Sequence, residues 1–401
     1  MAKKKGSRRN APGAGNIRKK IVHKNGQEYV YWEARLTVGF DPGTGKQIQR
    51  SFTGKTQKEV RERLQAAAVE VNTGTYTEPC KITLGEWLDL WAADYLGGVK
   101  PFTVASYTGQ IRNHIKPALG AVKLESLNTN TIQRFYNSFG AGTRERPGLS
   151  PKTIKNIHGV LHKALQQAVA VGYLRFNPSE ACTLPRIVRK EILPLDETDS
   201  LAFLKAIRGH PFEALFKVTL FTGMREGEVL GLMWNCIDFG KGTILINKQL
   251  QREKKKGGVY HFASLKNDKA RIIMPAPSIL ELLKQHRAAQ AERQRLAGPL
   301  REPSGLVFTN DLGQHLATHT VYTAFKRIVT AIGRPDARFH DLRHSYAVAA
   351  IRSGDDIKTV QGNLGHATAA FTLDVYGHVT DQMKQESAAR MESYIKDILE
   401  L

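Results

Sequence analysis

The segment TLGEWLDLWAADYL, residues 83–96, predicts the start of a helical domain. Thr83 offers the side-chain oxygen of an N-cap residue, and Glu86 follows three residues later, which together make a capping box. The apolar side chains that follow recur at helical spacing, namely Trp87, Leu88, Leu90, Trp91 and Leu96. Further helices are predicted over about 103–115, 128–139 and 150–172, the last beginning with Ser150 as N-cap and Pro151 as first helical residue. Residues 83–178 are therefore expected to form an all-α domain.

The residues before this domain predict a basic arm and a small sheet. Residues 1–16 are expected to be a flexible basic arm, either a solvated tail or an arm that tracks DNA. Three strands are predicted within 17–54, because Asn25-Gly26 is a strong hairpin signal and Asp41-Pro42-Gly43 marks a second turn. A helix is expected over 56–72. Residues 17–78 are thus predicted to be a three-stranded β-sheet plus helix, a shape that can enter a DNA groove.

The remainder of the chain predicts a linker and a larger mixed domain. Residues 179–190 are basic, contain Pro185 and are expected to link two domains. Beyond them, 191–401 alternates between helical and strand-like patterns, with helices predicted to predominate and a tail helix over 381–401. The strands are expected at 243–247, 259–265 and 271–275. The fold class is therefore multidomain α+β.

The charge of the chain points to a polyanionic partner. The 401 residues include 59 Lys+Arg and 37 Asp+Glu, a formal net charge of +22. Basic residues are in excess in all three predicted parts, so a duplex can be contacted along the whole molecule. The three cysteines lie far apart, which argues against a disulfide framework and favours a reducing compartment. We expect no signal peptide and no membrane span.

Two motifs in the last domain carry basic side chains suited to an anion. In FTGMREGE, residues 221–228, Arg225 stands at the start of a predicted helix, where its donors add to free backbone N–H groups. The alternative is a surface arginine paired with Glu228. In SLKNDKAR, residues 264–271, Lys266 is predicted at a hairpin tip or its entry, and the alternatives are a solvated lysine or a functional Lys269.

Two further motifs lie near the end of the chain. In HDLRH, residues 340–344, His340 and Arg343 share one helical face, and His344 can point there too. The spacing is close to the zinc motif HExxH, but a fixed cation beside a dication disfavours a metal, so a phosphate-binding pair is the preferred interpretation. The sequence then contains LGH at 364–366 and TLDVYGH at 372–378, with Tyr376 ten residues after His366.

In their order, spacing and local sequence these motifs resemble those of the tyrosine recombinases, or lambda-type phage integrases. The three-part domain layout is most similar to that of the integrases of conjugative transposons. The resemblance implies a tyrosine recombinase catalytic fold at 191–401, a core-site-binding domain at 83–178 and an arm-site-binding domain at 17–78. It implies a site-specific recombinase that acts through a covalent 3′-phosphotyrosine and a Holliday junction. The catalytic residues that it implies are Arg225, Lys266, His340, Arg343, His366 and the nucleophile Tyr376.

The side chains are chemically suited to these roles. A tyrosine has a reference pKa of ~10, so it needs a proton acceptor and nearby cations to act as a nucleophile. Arg225 and Arg343 are expected to hold the phosphate oxygens, and His340 to accept the proton. His366 is expected to donate a hydrogen bond to the phosphate, and Lys266 to protonate the departing sugar oxygen.

The resemblance also implies the partners and the setting. We expect double-stranded DNA with core and arm sites, a homotetramer on DNA, and an excisionase or host DNA-bending protein as helper. We expect no cofactor and no metal, no membrane, and a bacterial cytoplasmic, DNA-associated location. The alternatives are a catalytically inactive or regulatory DNA-binding protein, a metal-dependent nuclease using His340 and His344, and a type IB topoisomerase-like enzyme. The tail helix is expected either to pack on its own domain or to dock on a neighbouring protomer.

Overall fold

The computed structural model describes residues 16–24, 26–40, 43–73, 81–140, 142, 147–188, 193–253, 257–265, 269–300, 302, 304–365 and 380–399. The chain divides into two compact units, Met1–Ile187 and Val188–Leu401. Of the predicted site residues, Lys266, His366 and Tyr376 lie outside the described residues, as does the basic arm up to residue 15.

The first unit begins with the predicted sheet and helix. Strands β1 (Asn16–Lys24), β2 (Gln27–Phe40) and β3 (Gln47–Gly54) form an antiparallel sheet in the order β1-β2-β3. Helix α1 (Gln57–Asn72) is capped by the Thr56 side chain and packs on one face of the sheet. The buried side chains between them are Ala34, Leu36, Val60, Leu64 and Ala67. The opposite face of the sheet has no such cover among the described residues.

The helical part of the first unit follows the sequence pattern closely. It contains α2 (Leu84–Asp94), α3 (Pro101–Gln110), a π-helical turn over Ile111–Ile115, α4 (Lys116–Leu119), α5 (Thr129–Gly140) and α6 (Pro151–Ala170). The predicted capping box is present, since Thr83 accepts from the Glu86 N–H and the Glu86 carboxylate accepts from the Thr83 N–H. Trp87 is fully buried and donates from Nε1 to the Ala164 carbonyl at 2.9 Å, so its indole is satisfied in a core where truncation to Ala costs about 3–5 kcal/mol.

The first residues of the predicted linker pack against the helical part. The Gln133 side chain makes two hydrogen bonds to the backbone of Thr183, one to its carbonyl at 2.9 Å and one from its N–H at 2.7 Å. Ser179 is fully buried, and Cys182 and Leu184 contact the helical core. Residues 179–184 therefore belong to the packed structure of this unit.

The second unit is mainly α, with two small sheets. Its helices are α7 (Glu197–Ala206), α8 (Glu213–Thr222), α9 (Glu226–Leu230), α10 (Pro277–Ala297), α11 (Thr318–Ala331), α12 (Asp341–Arg352), α13 (Ile357–Leu364) and α14 (Thr380–Leu399). A cluster of aromatic rings joins α7, α8 and α11 to the segment before α12, with Phe203, Phe216, Phe325 and Phe339 all buried. This packing fixes the positions of α8, which ends shortly before Arg225, and of α12, which carries Arg343.

The sheets correct the predicted hairpin around Lys266. Strands β4 (Ile237–Asp238), β5 (Thr243–Ile246) and β8 (Arg271–Ile273) form one sheet, and β6 (Lys248–Arg252) and β7 (Tyr260–Ser264) form another. Lys266 stands in the sequence between β7 and β8, and these strands pair with different partners, so the prediction of a hairpin between them is wrong. Strand β6 takes the place of β8 as the partner of β7.

Helix α14, Thr380–Leu399, lies in the segment where the tail helix was predicted over 381–401. The described apolar side chains near its end are exposed, including Met391, Tyr394, Ile395, Ile398 and Leu399. No described helix is long and apolar enough to span a membrane.

Candidate active site

The first functional side chain is positioned by a sharp break between α8 and α9. Gly223 ends α8 with φ +64°, a left-handed conformation that glycine adopts without cost. Arg225 then begins α9, and its side chain is 23% exposed. The Glu228 carboxylate accepts from the Arg225 N–H at 2.9 Å and from Arg225 Nη1 at 2.7 Å. The ion pair considered from sequence is thus present, but it holds a half-buried arginine in place and is not a surface pair.

The second arginine comes from α12 and reaches the same place. Arg343 is 1% exposed and donates from Nη1 to the Gly223 carbonyl at 2.7 Å and from Nη2 to the Leu364 carbonyl at 2.6 Å. Arg225 donates from Nη2 to the next carbonyl, that of Gly365, at 3.2 Å. Both guanidinium groups therefore meet at the end of α13.

The backbone at the end of α13 depends on a second left-handed glycine. Gly365 caps α13 with φ +64°. This conformation turns the carbonyls of Leu364 and Gly365 toward the two arginines, and the next residue in the chain is His366. Two guanidinium groups converge here, one bound by two carbonyls and the other by a carbonyl and the Glu228 carboxylate, and together they form a centre suited to a phosphate.

Two histidines lie beside these arginines. His340 precedes α12 and its ring meets that of His344 edge to face, with centroids 4.9 Å apart. His340 keeps part of its surface in solvent. Its pKa is nevertheless lowered to about 4, first by desolvation in the surrounding protein and then by His344 and the charges of Arg343 and Arg225. Burial likewise lowers the pKa of His344, which is 6% exposed, to about 4. Both imidazoles are therefore neutral at pH 7, and a neutral imidazole has a nitrogen that can accept a proton.

A buried acid and a third arginine complete the site, and the sequence motifs had not singled them out as functional. Glu228 is 1% exposed and is bound by both terminal nitrogens of Arg271, at 3.0 and 2.6 Å. Burial alone raises the pKa of Glu228, but the hydrogen bonds and charge of Arg271, with the Arg225 N–H and charge, outweigh it and lower this pKa to about 2. Glu228 is thus ionised, and it neutralises part of the charge of two arginines.

Three of the six predicted catalytic residues are brought together here, namely Arg225, His340 and Arg343. Lys266 stands between β7 and β8 in the sequence but outside the described residues, and Lys269, which precedes β8, is exposed. His366 and Tyr376 follow Gly365 directly in the sequence. Within the described ranges no group of three His, Cys, Asp or Glu side chains is arranged to hold a metal ion.

The family follows from comparison with known proteins. The phage integrase family model matches residues 195–383, and the model for the phage integrase N-terminal SAM-like domain matches 83–140. A protein of Caldanaerobacter subterraneus subsp. tengcongensis described as tyrosine recombinase XerC-like is 31% identical over 90% of this chain and 95% of its own length. The chain belongs to the phage integrase family of tyrosine recombinases. It is accordingly an enzyme of site-specific DNA recombination, which confirms the predicted family, enzyme class and function.

Other relatives refine the comparison. The ICEBs1 integrase of Bacillus subtilis is 24% identical over 93% of this chain and 98% of its own. Among solved structures, the Tn1549 transposon integrase in complex with a circular intermediate DNA has a TM-score of 0.65 at 20% identity, covering 77% of this chain and 99% of that one. A lambda integrase tetramer bound to a Holliday junction has a TM-score of 0.53 at 21% identity, covering 90% and 97%. These similarities confirm the predicted fold class and the predicted likeness to transposon integrases.

Proposed function

We propose that this recombinase is the integrase of a mobile element and that Tyr376 is its nucleophile. One observation carries the assignment of the site. Arg225 and Arg343, from different helices, donate to the adjacent carbonyls of Gly365 and Leu364, beside the neutral His340. The chain continues from this point to His366 and Tyr376.

In the proposed reaction the Tyr376 hydroxyl oxygen attacks the phosphorus of a DNA phosphodiester. A bond forms between the tyrosine oxygen and phosphorus, and the bond from phosphorus to the sugar 5′ oxygen breaks. His340 accepts the tyrosine proton, and Lys266 supplies a proton to the leaving 5′ oxygen, with Lys269 as the alternative. The product is a 3′-phosphotyrosine and a free 5′ hydroxyl. Attack by a 5′ hydroxyl of another strand reverses the step and rejoins DNA without a cofactor.

The arginines stabilise the charge that develops on phosphorus. A phosphodiester has one negative charge and its pentacoordinate transition state approaches two. Arg343 is anchored by two carbonyls. Arg225 donates two of its five side-chain N–H groups to described partners, so Arg225 keeps donors for phosphate oxygens. His366 is proposed to donate a further hydrogen bond to the phosphate.

We propose that each part of the chain has its own place on DNA. The helical part, 83–178, is proposed to grip the core site, 191–401 to cleave it, and 17–78 to bind an arm site. On the uncovered face of the small sheet, Arg18, Lys20 and Arg35 lie at 2.7, 3.6 and 3.9 Å from the Glu33 carboxylate. This basic face supports contact with a duplex. The working location is the DNA of a bacterial cytoplasm.

The proposed assembly on DNA is a homotetramer, since strand exchange between two duplexes needs four cleavages. A lambda integrase tetramer on a Holliday junction is the precedent among similar folds. The exposed apolar residues of α14 are proposed to dock on a neighbouring protomer, and an excisionase or host DNA-bending protein is proposed as a helper. Deleting 380–401 should then weaken assembly on DNA without lowering the melting temperature.

The experiment that tests the function traps the covalent intermediate. A nicked suicide substrate carrying the element's crossover site is incubated with the full chain, and the protein–DNA adduct is digested and mapped. We expect the adduct on Tyr376, none with Tyr376→Phe, and no effect of a chelator. An adduct on another residue would overturn the assignment of Tyr376. DNA binding without any adduct would favour the inactive regulator, and relaxation of supercoils without junctions the topoisomerase-like enzyme.

A further inference from the structure

Arg271 makes three charge-assisted hydrogen bonds at the site, although the resemblance does not place it among the catalytic residues. Its side chain is 10% exposed at the start of β8. Two of its N–H groups bind the two oxygens of Glu228, and Nε donates to the Asn363 carbonyl at 2.8 Å. A planar fork that binds one carboxylate with both terminal nitrogens fixes that carboxylate in orientation as well as position.

The guanidinium group of Arg271 determines how many hydrogen bonds Glu228 can accept from Arg225. With Arg271 on both oxygens, Glu228 takes one side-chain N–H of Arg225, at Oε1, and the Arg225 backbone N–H at Oε2. A buried carboxylate that loses one of two cationic partners is left undercompensated, which is costly in the interior. It is then expected to draw more of the Arg225 fork toward itself, in competition with a phosphate.

The other end of Arg271 holds the last turn of α13. Its Nε bond to Asn363 lies two residues before Gly365. The side chain also packs against Gly365, where an added Cβ would lie 3.1 Å from Arg271 Cδ and 3.2 Å from Nη1. Asn363 is tied in turn to the Tyr346 hydroxyl at 3.0 Å. The backbone that accepts from Arg225 and Arg343 thus rests on the Arg271 side chain.

We propose that Arg271 is a positioning residue for the cleavage step, which keeps Arg225 available to the scissile phosphate by occupying Glu228 and sets the end of α13 from which the chain runs to His366 and Tyr376. The inference rests on the proposed function, because it takes Arg225 as a phosphate ligand. Arg271 itself need not touch the DNA. It links β8, α9 and α13, so its effect on cleavage is exerted through two backbone carbonyls and one carboxylate.

The test compares cleavage with binding in four variants of the full chain: Arg271→Met, Arg271→Lys, Glu228→Gln and the double variant Arg271→Met with Glu228→Gln. Affinity for the crossover duplex is measured by gel shift, and the rate of covalent complex formation by single turnover at saturating protein. Displacement of a reacting group by about 1 Å can cost 10²-fold. Arg271→Met should therefore cleave about 10²-fold more slowly at saturation, with affinity changed by only a few fold.

The other variants separate positioning from general stability. Arg271→Lys keeps the charge but has no fork, so it should recover little of the rate. The double variant should cleave no more slowly than Arg271→Met, because the undercompensated acid is gone. Arg334→Met is the matched control, since Arg334 also forms a partly buried ion pair, with Asp199, in the same unit and contacts neither Glu228 nor Arg225. It should lower the melting temperature and leave the saturated rate unchanged.

Three results would overturn the inference. One is a wild-type rate for Arg271→Met once the unfolded fraction is removed. Another is full recovery by Arg271→Lys, which would reduce the role to net charge. The last is a double variant whose fold-loss in cleavage rate equals the product of the fold-losses of the two single variants. That result would mean that Arg271 does not act through Glu228. If the wild type itself forms no adduct at Tyr376, the proposed function fails instead, and the two failures are distinct.

Discussion

Replacing Gly223 by alanine tests whether the shape of the backbone governs both stability and chemistry at this site. Gly223 has φ +64°, and a Cβ built on it would lie 2.5 Å from Tyr346 Cδ1 and 2.7 Å from Leu364 Cδ2. The left-handed conformation costs a non-glycine residue roughly 1–2 kcal/mol, and overpacking of a filled interior adds about 1–3 kcal/mol. Gly223→Ala should therefore destabilise the second unit by about 2–5 kcal/mol.

The matched control is Gly333→Ala. Gly333 has φ +80° in the same unit, and a Cβ there meets nothing within 4 Å. It should bear the conformational cost alone, about 1–2 kcal/mol. At roughly 2–4 °C per kcal/mol for a unit of this size, the melting temperature should fall clearly further for Gly223→Ala than for Gly333→Ala.

Activity provides the second readout of this prediction. The Gly223 carbonyl accepts from Arg343 Nη1 at 2.7 Å, so a shift of this peptide displaces a phosphate-binding guanidinium. Below its melting temperature Gly223→Ala should form the covalent complex at least about 10-fold more slowly, and Gly333→Ala at the wild-type rate. Equal melting temperatures and equal cleavage for the two variants would refute the reasoning.

Three further predictions concern charge. Arg343→Lys should cut the cleavage rate by about 10²–10³-fold, because an ammonium cannot bridge the Gly223 and Leu364 carbonyls and still bind phosphate; near-normal single-turnover cleavage would contradict this. Glu33→Gln, which removes the acid beneath Arg18, should raise the affinity of the full chain for a random duplex and steepen its log–log salt slope by about 0.9, whereas an unchanged slope would count against it. The pKa of His344 in the folded protein, about 4, lies below its ordinary 6.5, so the stability that this group contributes is complete above pH 6.5 and is lost as the pH falls to 4. Urea unfolding should show that the free energy of unfolding of the wild type falls by about 3 kcal/mol relative to that of His344→Gln between pH 6.5 and 4. A difference between the two proteins that does not change with pH would contradict this prediction.

Local signals in the sequence predicted most of the elements. The Thr83–Glu86 capping box and the Asn25-Gly26 turn are decided by residues within a few positions of one another, and the structure has the helix and the hairpin that they predict. Strand β6, KQLQR, was not predicted because only Leu250 is buried in it, so hydrophobic alternation gives no signal. Its strand conformation depends on pairing with β7, which is a contact between distant residues.

Only those residues of the site that lie in short sequence motifs could be predicted from the sequence. Arg225 and Arg343 lie in recognisable sequence motifs, and the structure brings the two side chains together at the end of α13. Arg271 is 43 residues from its partner Glu228, so nothing in the local pattern sets it apart from other arginines of a basic chain. The role of the Gly223 and Leu364 carbonyls could not be predicted from the sequence, because every residue has a backbone carbonyl whatever its side chain.

The anchoring of Arg343 by main-chain oxygens affects how such an enzyme tolerates change. No point substitution can delete a carbonyl, so the acceptors at 223 and 364 survive any exchange of side chain and are lost only when the backbone itself moves. Surrounding side chains are then free to drift, or to be varied in the laboratory when a new DNA target is sought, provided that volume and turn geometry are kept. Inactivating changes in this region should accordingly sort by size and backbone conformation and not by polarity.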